Sequence, residues 1–275
     1  MKLGMRAHDF GRMEPSALAK KLRETGFETA QLALTKAIDG INSIDDVDKP
    51  ILDSIRHAFE ENQVEIGVLG CYVEIGYSDK DARLLEVKKF LAGIEHAREL
   101  GARLIGTETT DFPPDMTKER ESAYQNLKDS VLRMVECAEK HNVIVAIETV
   151  ANHTLNSAEL TRRLLDEVNS TKLQVIFDPV NLILTQSDID NQNKIYNKFL
   201  QIVGKDIVAL HVKDVVLEGR DKIWRNIGKG SISYNVIFDW LKQFNCNIPI
   251  LREHVKEESV DADILEIRRL MKGDN

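Results

Sequence analysis

The sequence predicts a single-domain α/β protein, a (β/α)8 barrel, and three observations carry that prediction. Apolar, β-rich runs alternate with helical patterns along the whole chain. Four of the later runs stop abruptly on a carboxylate or an imidazole. Those ends, Glu148, Asp178, His211 and Glu253, are separated by intervals of 30, 33 and 42 residues, each about the length of one strand, its crossover helix and two loops. Parallel strands are buried on both faces and read as near-continuous Val/Ile/Leu runs, so a charged residue at the C-terminal tip calls for a reason. In a closed barrel those tips converge on one face. With 275 residues the chain is close to the usual size of one such barrel and ample for a large core.

Residues 2–7 read as the first strand, with His8 and Asp9 at its tip. Glu14-Pro15-Ser16 opens a helix, since proline is tolerated in a first turn, and Leu18 and Leu22 keep helical spacing up to Gly26, a C-cap. The second strand spans 27–34 and its helix 50–61; the third strand spans 64–71 and its helix 84–100, closed by Gly101. A fourth strand, 103–107, ends at Glu108, and a loop carrying Pro113-Pro114 leads into a long helix over 118–140. The fifth strand is 143–148. Asn156-Ser157 can cap a helix through Leu165, the sixth strand runs over 173–178, and the helix 191–203 ends at Gly204. The seventh strand, 207–211, opens a long excursion over 215–231 that contains Trp224 and the Gly228-Lys229-Gly230 turn. Helix 234–244, strand 248–251 and helix 260–271 complete eight strands and eight helices. No low-complexity linker divides the chain, and neither GxGxxG nor GxxxxGK[ST] follows the first strand, which disfavours an open doubly wound sheet with a nucleotide site.

An apolar fraction of 43% and a charged fraction of 30% are ordinary for a globular protein. The net charge of −8 and pI near 5.5 argue against sequence-independent binding to nucleic acid. Cys71, Cys137 and Cys246 are far apart and odd in number, which fits free thiols in a reducing cytoplasm. The first residues enter a strand at once, and no run approaches the ~20 apolar residues of a membrane span, so the expectation is a cytoplasmic protein with no membrane partner.

Two glutamates, one aspartate and one histidine form a hard, oxygen-rich set. It suits one divalent ion, Mn²⁺ ahead of Mg²⁺, Co²⁺ or Zn²⁺, better than it suits a thiolate-type structural zinc site. Three carboxylates brought together without a cation would also repel one another. Any one of them alone would be an ordinary strand-end residue in a solvated loop; four in succession favour a site. Alternation along the strand places Lys213 on the side of His211, within reach of a substrate oxygen or phosphate, and lets Asp214 orient a neighbouring group; a solvated surface is the competing placement for both. Arg252 points away from the lumen as a structural ion-pair partner. His8 and Glu108, at other strand tips, are candidates for contacting substrate hydroxyls, and Cys71, Asn152 and His153 could line the same pocket. His57, His96 and His141 lie on helices or at their ends and read as surface residues. Trp224 either walls the pocket or packs over the helices, and the glycine turn at 228–230 permits close backbone approach but is by itself a weak phosphate signal.

Taken together, Ala146-Ile147-Glu148, Phe177-Asp178-Pro179-Val180-Asn181, Leu210-His211-Val212-Lys213-Asp214, Ile227-Gly228-Lys229-Gly230 and Arg252-Glu253 resemble the xylose isomerase-like TIM barrel superfamily of sugar phosphate isomerases and epimerases, over nearly the whole chain. The resemblance implies that Glu148, Asp178, His211 and Glu253 bind the metal and that Glu148 and Glu253 are catalytic, moving protons beside a carbonyl through an enediolate. It also implies a small carbohydrate substrate and allows a homo-oligomer. The chain departs from the pattern in three places. Asn181 stands where many members carry histidine, though asparagine can still donate a hydrogen bond to substrate. Lys229 replaces the usual acidic residue between the glycines, and no arginine of the family type follows His211 closely. An inosose- or dehydroshikimate-type dehydratase, in which the same enolate loses hydroxide, is the alternative on this scaffold. A non-catalytic sugar-binding barrel is a further one. An apurinic endonuclease is disfavoured, because Cys71, Glu108 and Asn181 occupy places where histidines would be expected and the chain is acidic.

Overall fold

Residues 1–112, 117–219, 221–244 and 246–273 are described by the structure, a computed structural model. Strands β1 (Lys2–Arg6), β2 (Thr29–Leu32), β3 (Glu65–Gly70), β4 (Leu104–Thr107), β5 (Ile144–Glu148), β6 (Leu173–Phe177) and β7 (Ile207–Val212) are followed by a hairpin of β8 (Asp214–Glu218) and β9 (Asp221–Arg225), and then by β10 (Pro249–Arg252). All but the hairpin close into one barrel in the order β1-β10-β7-β6-β5-β4-β3-β2, with every pair parallel. The helices are α1 (Pro15–Thr25), α2 (Leu34–Ala37), α3 (Lys49–Glu61), α4 (Lys80–Glu99), α5 (Arg120–His141), α6 (Ala158–Val168), α7 (Gln186–Asp190), α8 (Gln192–Val203), α9 (Asn235–Gln243) and α10 (Val260–Lys272).

The predicted single-domain barrel is therefore present, with strand positions within a few residues of those read from the sequence. Helix starts have visible causes. Asp48, Asp79 and Ser157 each accept a first-turn backbone N–H, and Pro15 opens α1. Gly26 closes α1 in the left-handed conformation, as expected for a C-cap. Three details differ. The second strand stops at Leu32, and Leu34–Ala37 turns into a short helix; α7 precedes α8; and the excursion after β7 is an antiparallel hairpin instead of an irregular loop. The Pro113-Pro114 loop lies outside the described residues.

Asp214 ties down the base of that hairpin. Its carboxylate accepts the backbone N–H groups of Val215, Gly228, Gly230 and Ile232 at 2.9–3.1 Å. A Cβ at Gly230 would lie 2.1 Å from Asp214 Oδ1, so the second glycine of the turn is required by this approach and needs no phosphate to explain it. Asp214 and Lys213 are both buried, which removes the solvated-surface placement for the pair.

Two apolar layers build the body. The larger lies between strands and helices; the smaller, made of Val68, Leu104, Ala146, Ile176, Ala209 and Leu251, fills the barrel interior. Side chains alternate along a strand, so residues two positions further on face the same lumen. From Ala146, Ile176, Ala209 and Leu251 that step reaches Glu148, Asp178, His211 and Glu253. The polar layer is thus the next storey of the same packed interior.

Arg252 has the opposite parity and, as expected, turns away from the lumen. Its Nε is 2.8 Å from Asp263 Oδ2 on α10, both groups are buried, and Asp263 Oδ1 also accepts the N–H of Ile227 at 2.7 Å. Replacing one partner leaves a buried charge uncompensated, so Asp263→Ala should lose about 3–5 kcal/mol in urea unfolding. A loss below about 1 kcal/mol, the range of exposed pairs, would mean that the ion pair does not hold α10 to the barrel.

Candidate metal centre

The tips of β5, β6 and β7 bring Glu148, Asp178 and His211 together, with one potential ligand atom from each within 4.8 Å of the others. His211 Nδ1 is 3.1 Å from Glu148 Oε2 and 3.7 Å from Asp178 Oδ2. Glu253, from the tip of β10, completes the group at 3.5 Å from the same nitrogen. All four are almost fully buried.

Each acid has its own fixings. Asp178 Oδ1 accepts the backbone N–H groups of Val180 and Asn181. The side-chain amide of Asn181 donates to Glu148 Oε1. Lys213 Nζ lies 2.6 Å from Asp178 Oδ2 and 2.8 Å from Glu253 Oε2, and Arg6 Nη1 lies 3.5 Å from Glu253 Oε1. Burial alone would raise the Asp178 and Glu253 carboxyls; the Lys213 ammonium reverses the sign and holds both below their usual range. For His211 burial disfavours the charged ring, and the charges of Glu253 and Glu148 outweigh it, placing the imidazolium well above its ordinary value.

Two buried atoms, Asp178 Oδ2 and His211 Nδ1, have no hydrogen-bond partner. The contact of Lys213 with Asp178 is close but off the line that a hydrogen bond requires. Buried polar atoms are ordinarily hydrogen-bonded, and here the oxygen is met only by the Lys213 ammonium and the nitrogen only by carboxylates 3.1–3.7 Å away, an arrangement that fits a cation-binding site. With two carboxylates and an imidazole in reach, these groups can hold a divalent ion.

Six of the eight residues singled out from the sequence, Glu148, Asp178, His211, Glu253, Asn181 and Lys213, are thus in one connected group. His8 and Glu108 stand at the rim. His8 meets the Tyr72 ring edge-on, and its pKa is pushed down to about 4 by burial, with the Arg6 and Lys36 charges adding to it. Glu108 lies 3.8 Å from His153 Nε2, and its carboxyl is pushed up to about 7 by burial and then by the charge of Glu148. Cys71 does not line this pocket: it faces α4, where a Cβ on Gly93 would come 3.2 Å from its Sγ. Trp224 does wall the site, stacked on His254 with ring centroids 3.6 Å apart and with Lys213 Nζ 5.7 Å from its own ring.

Four residues were not foreseen. Arg6 and Gln31 lie on β1 and β2; Gln31 Oε1 is 2.6 Å from His211 Nε2, and Gln31 Nε2 donates to the Tyr72 hydroxyl at 2.9 Å. Lys222, on β9, crosses to the carbonyl of Val180 at 2.8 Å, and burial brings its pKa down to about 8. A signal for Arg6 and Gln31 was available: both are polar residues near the ends of otherwise buried strands. Nothing in the sequence marked Tyr72 or Lys222, because their placement depends on loop geometry.

A parallel (β/α)8 barrel with a buried carboxylate–imidazole cluster at the C-terminal mouth defines a metal-competent barrel of the kind that carries its chemistry at strand tips. The chain belongs to the xylose isomerase-like TIM barrel family, whose model matches residues 19–272. No curated protein matches the sequence. Among solved structures it is similar to a D-tagatose 3-epimerase-like protein, at 18% identity and a TM-score of 0.80, covering 99% of this chain and 97% of that one. It is also similar to the 3-keto-D-glucoside 4-epimerase YcjR from E. coli, at 17% identity and a TM-score of 0.76, covering 98% and 99%. A third, the IolI protein with a bound zinc atom, has 18% identity and a TM-score of 0.73 over 99% and 96%. At these identities the likeness is one of fold.

A ligand that binds only the folded state stabilises it by mass action. Mn²⁺ at about 100 times its dissociation constant should therefore raise the unfolding free energy by roughly 2.7 kcal/mol in chemical denaturation. Asp178→Asn should abolish the increment; an increment that persists in this variant would place the ion elsewhere.

Proposed function

We propose that this protein is a metal-dependent sugar isomerase or epimerase that moves a proton on the carbon next to a carbonyl. The observation that carries the reading is the order of groups around the mouth. Along the adjacent strands β10, β7, β6 and β5 stand Glu253, His211, Asp178 and Glu148, so two glutamates flank the histidine and aspartate. The metal ligands on this reading are Glu148, Asp178, His211 and Glu253. The sugar epimerases of the same fold and the zinc atom bound to IolI support it.

A divalent ion there, Mn²⁺ in first place given the oxygen-rich set, supplies Lewis acidity toward the substrate carbonyl. The chain's own residues do the rest. One of Glu148 and Glu253 removes the proton, and the same or the other glutamate returns it; return by the same residue favours an aldose–ketose shift, and return to the opposite face gives epimerisation. The two glutamates differ in setting. Both lie against His211, but Glu253 is also gripped by the cations Lys213 and Arg6, which weaken it as a base, whereas the other oxygen of Glu148 takes only the neutral amide of Asn181. We therefore assign the first proton abstraction to Glu148. Lys213 presents its ammonium to the oxygen on which negative charge develops, and Asn181, His8 and Glu108 contact substrate hydroxyls.

The test is exchange of substrate C–H for deuterium in Mn²⁺-loaded protein across D-tagatose, D-psicose, L-ribulose and 3-keto-glucosides. Glu148→Gln and Glu253→Gln should each reduce exchange by roughly 10²–10⁴-fold in protein that still unfolds cooperatively. Exchange that survives both replacements would sink the assignment of the bases.

A further inference from the structure

A metal-binding imidazole must offer a bare nitrogen to the ion, and the proton on its other nitrogen decides which nitrogen that is. In this chain that decision falls to a side-chain amide. Gln31 is 2% exposed in the lumenal face of β2, and its Oε1 lies 2.6 Å from His211 Nε2. The other end of the amide is occupied, since Gln31 Nε2 donates to the Tyr72 hydroxyl at 2.9 Å. Tyr72 is itself held, with Lys36 Nζ 3.9 Å over its ring and His8 against its edge. The opposite nitrogen of the imidazole, Nδ1, is buried, lacks a hydrogen-bond partner and faces Glu148, Asp178 and Glu253 at 3.1–3.7 Å.

We propose that Gln31, clamped by Tyr72, is a positioning residue that keeps the proton on Nε2 of His211 and so reserves Nδ1 for a divalent ion. The inference rests on the metal reading given above and goes beyond it. An amide oxygen is a neutral acceptor, so it orients the ring without adding a fourth negative charge to a cluster that already holds three. Its other end, engaged with Tyr72, holds the side chain in place beside the ring.

The experiment is Mn²⁺ titration calorimetry on the full chain and on three variants, with NMR of the His211 Nε2–H proton in the Mg²⁺-loaded protein. Gln31→Met keeps the length and apolar bulk but removes the acceptor. Its dissociation constant for Mn²⁺ should rise about 10–100-fold, and the Nε2–H resonance should lose its protection from exchange. Gln31→Glu restores an acceptor and should keep the Nε2–H resonance protected, as Gln31→Met does not; Tyr72→Phe should weaken binding less than Gln31→Met does. Unchanged affinity in Gln31→Met would overturn the proposal. So would equal loss of Nε2–H protection in Gln31→Met and Gln31→Glu, which would mean that the residue merely packs. Wild-type protein that takes up no Mn²⁺ would overturn this inference together with the metal reading. A wild type that binds Mn²⁺ but exchanges no sugar proton would overturn only the proposed function.

Discussion

Around one imidazole, Glu148, Asp178 and Glu253 are sunk where water scarcely reaches, and most of the barrel mouth answers the cost of that arrangement. Like charges in such a place cannot all remain ionised without positive partners. The chain supplies several. Lys213 bridges Asp178 and Glu253, Arg6 reaches Glu253, and the backbone N–H groups after β6 hold Asp178. These partners preorganise the acids without satisfying everything, since Asp178 Oδ2 and His211 Nδ1 keep unused capacity directed into the cluster. The network therefore holds the acids in place and leaves them able to take a further cation.

The sequence disclosed the acids because a parallel strand is apolar along its whole length, and a carboxylate that ends one stands out. The register did the remaining work. Once Ala146, Ile176, Ala209 and Leu251 face the barrel interior, the residues two steps on must share that face, and loop conformation has little influence on the result. Gln31 obeys the same rule but does not stand out, because a glutamine within a short strand resembles ordinary β-edge polarity until β2 is known to be enclosed between β1 and β3. Cys71 failed for the complementary reason. It follows the lumenal Gly70 in sequence, so it takes the outward parity and packs toward α4.

The hairpin after β7 was less legible, since a strand pair made after the barrel strands is governed by turn and capping contacts. Asp214 supplies the contacts that fix its base, and its far strand sends Trp224 and Lys222 back over the mouth. The far strand is secured at two points, by the bond of Lys222 to the carbonyl after β6 and by the stack of Trp224 on His254 after β10. His254 occupies the left-handed backbone region at φ 55, uncommon outside glycine, and the stack with Trp224 helps to offset that conformation.

These attachments divide the labour at the mouth. The acids and the imidazole of the cluster ride on barrel strands or on the residue immediately after them, where position is set by ladder hydrogen bonds and by two packed layers. Rim groups such as Lys36, Tyr72, Lys222 and Trp224 ride on the segments that follow the strands, and those segments can change length or direction without disturbing the cluster beneath. Similar folds at 17–18% identity are consistent with this arrangement: the interior layers need only apolar bulk of suitable size, which many sequences provide. On the proposed function, substrate selection belongs to the rim. In this chain the rim includes two lysines, Lys36 and Lys222, neither of them ion-paired to a carboxylate among the described residues, and both face the region above an acidic cluster that Lys213 has already partly neutralised.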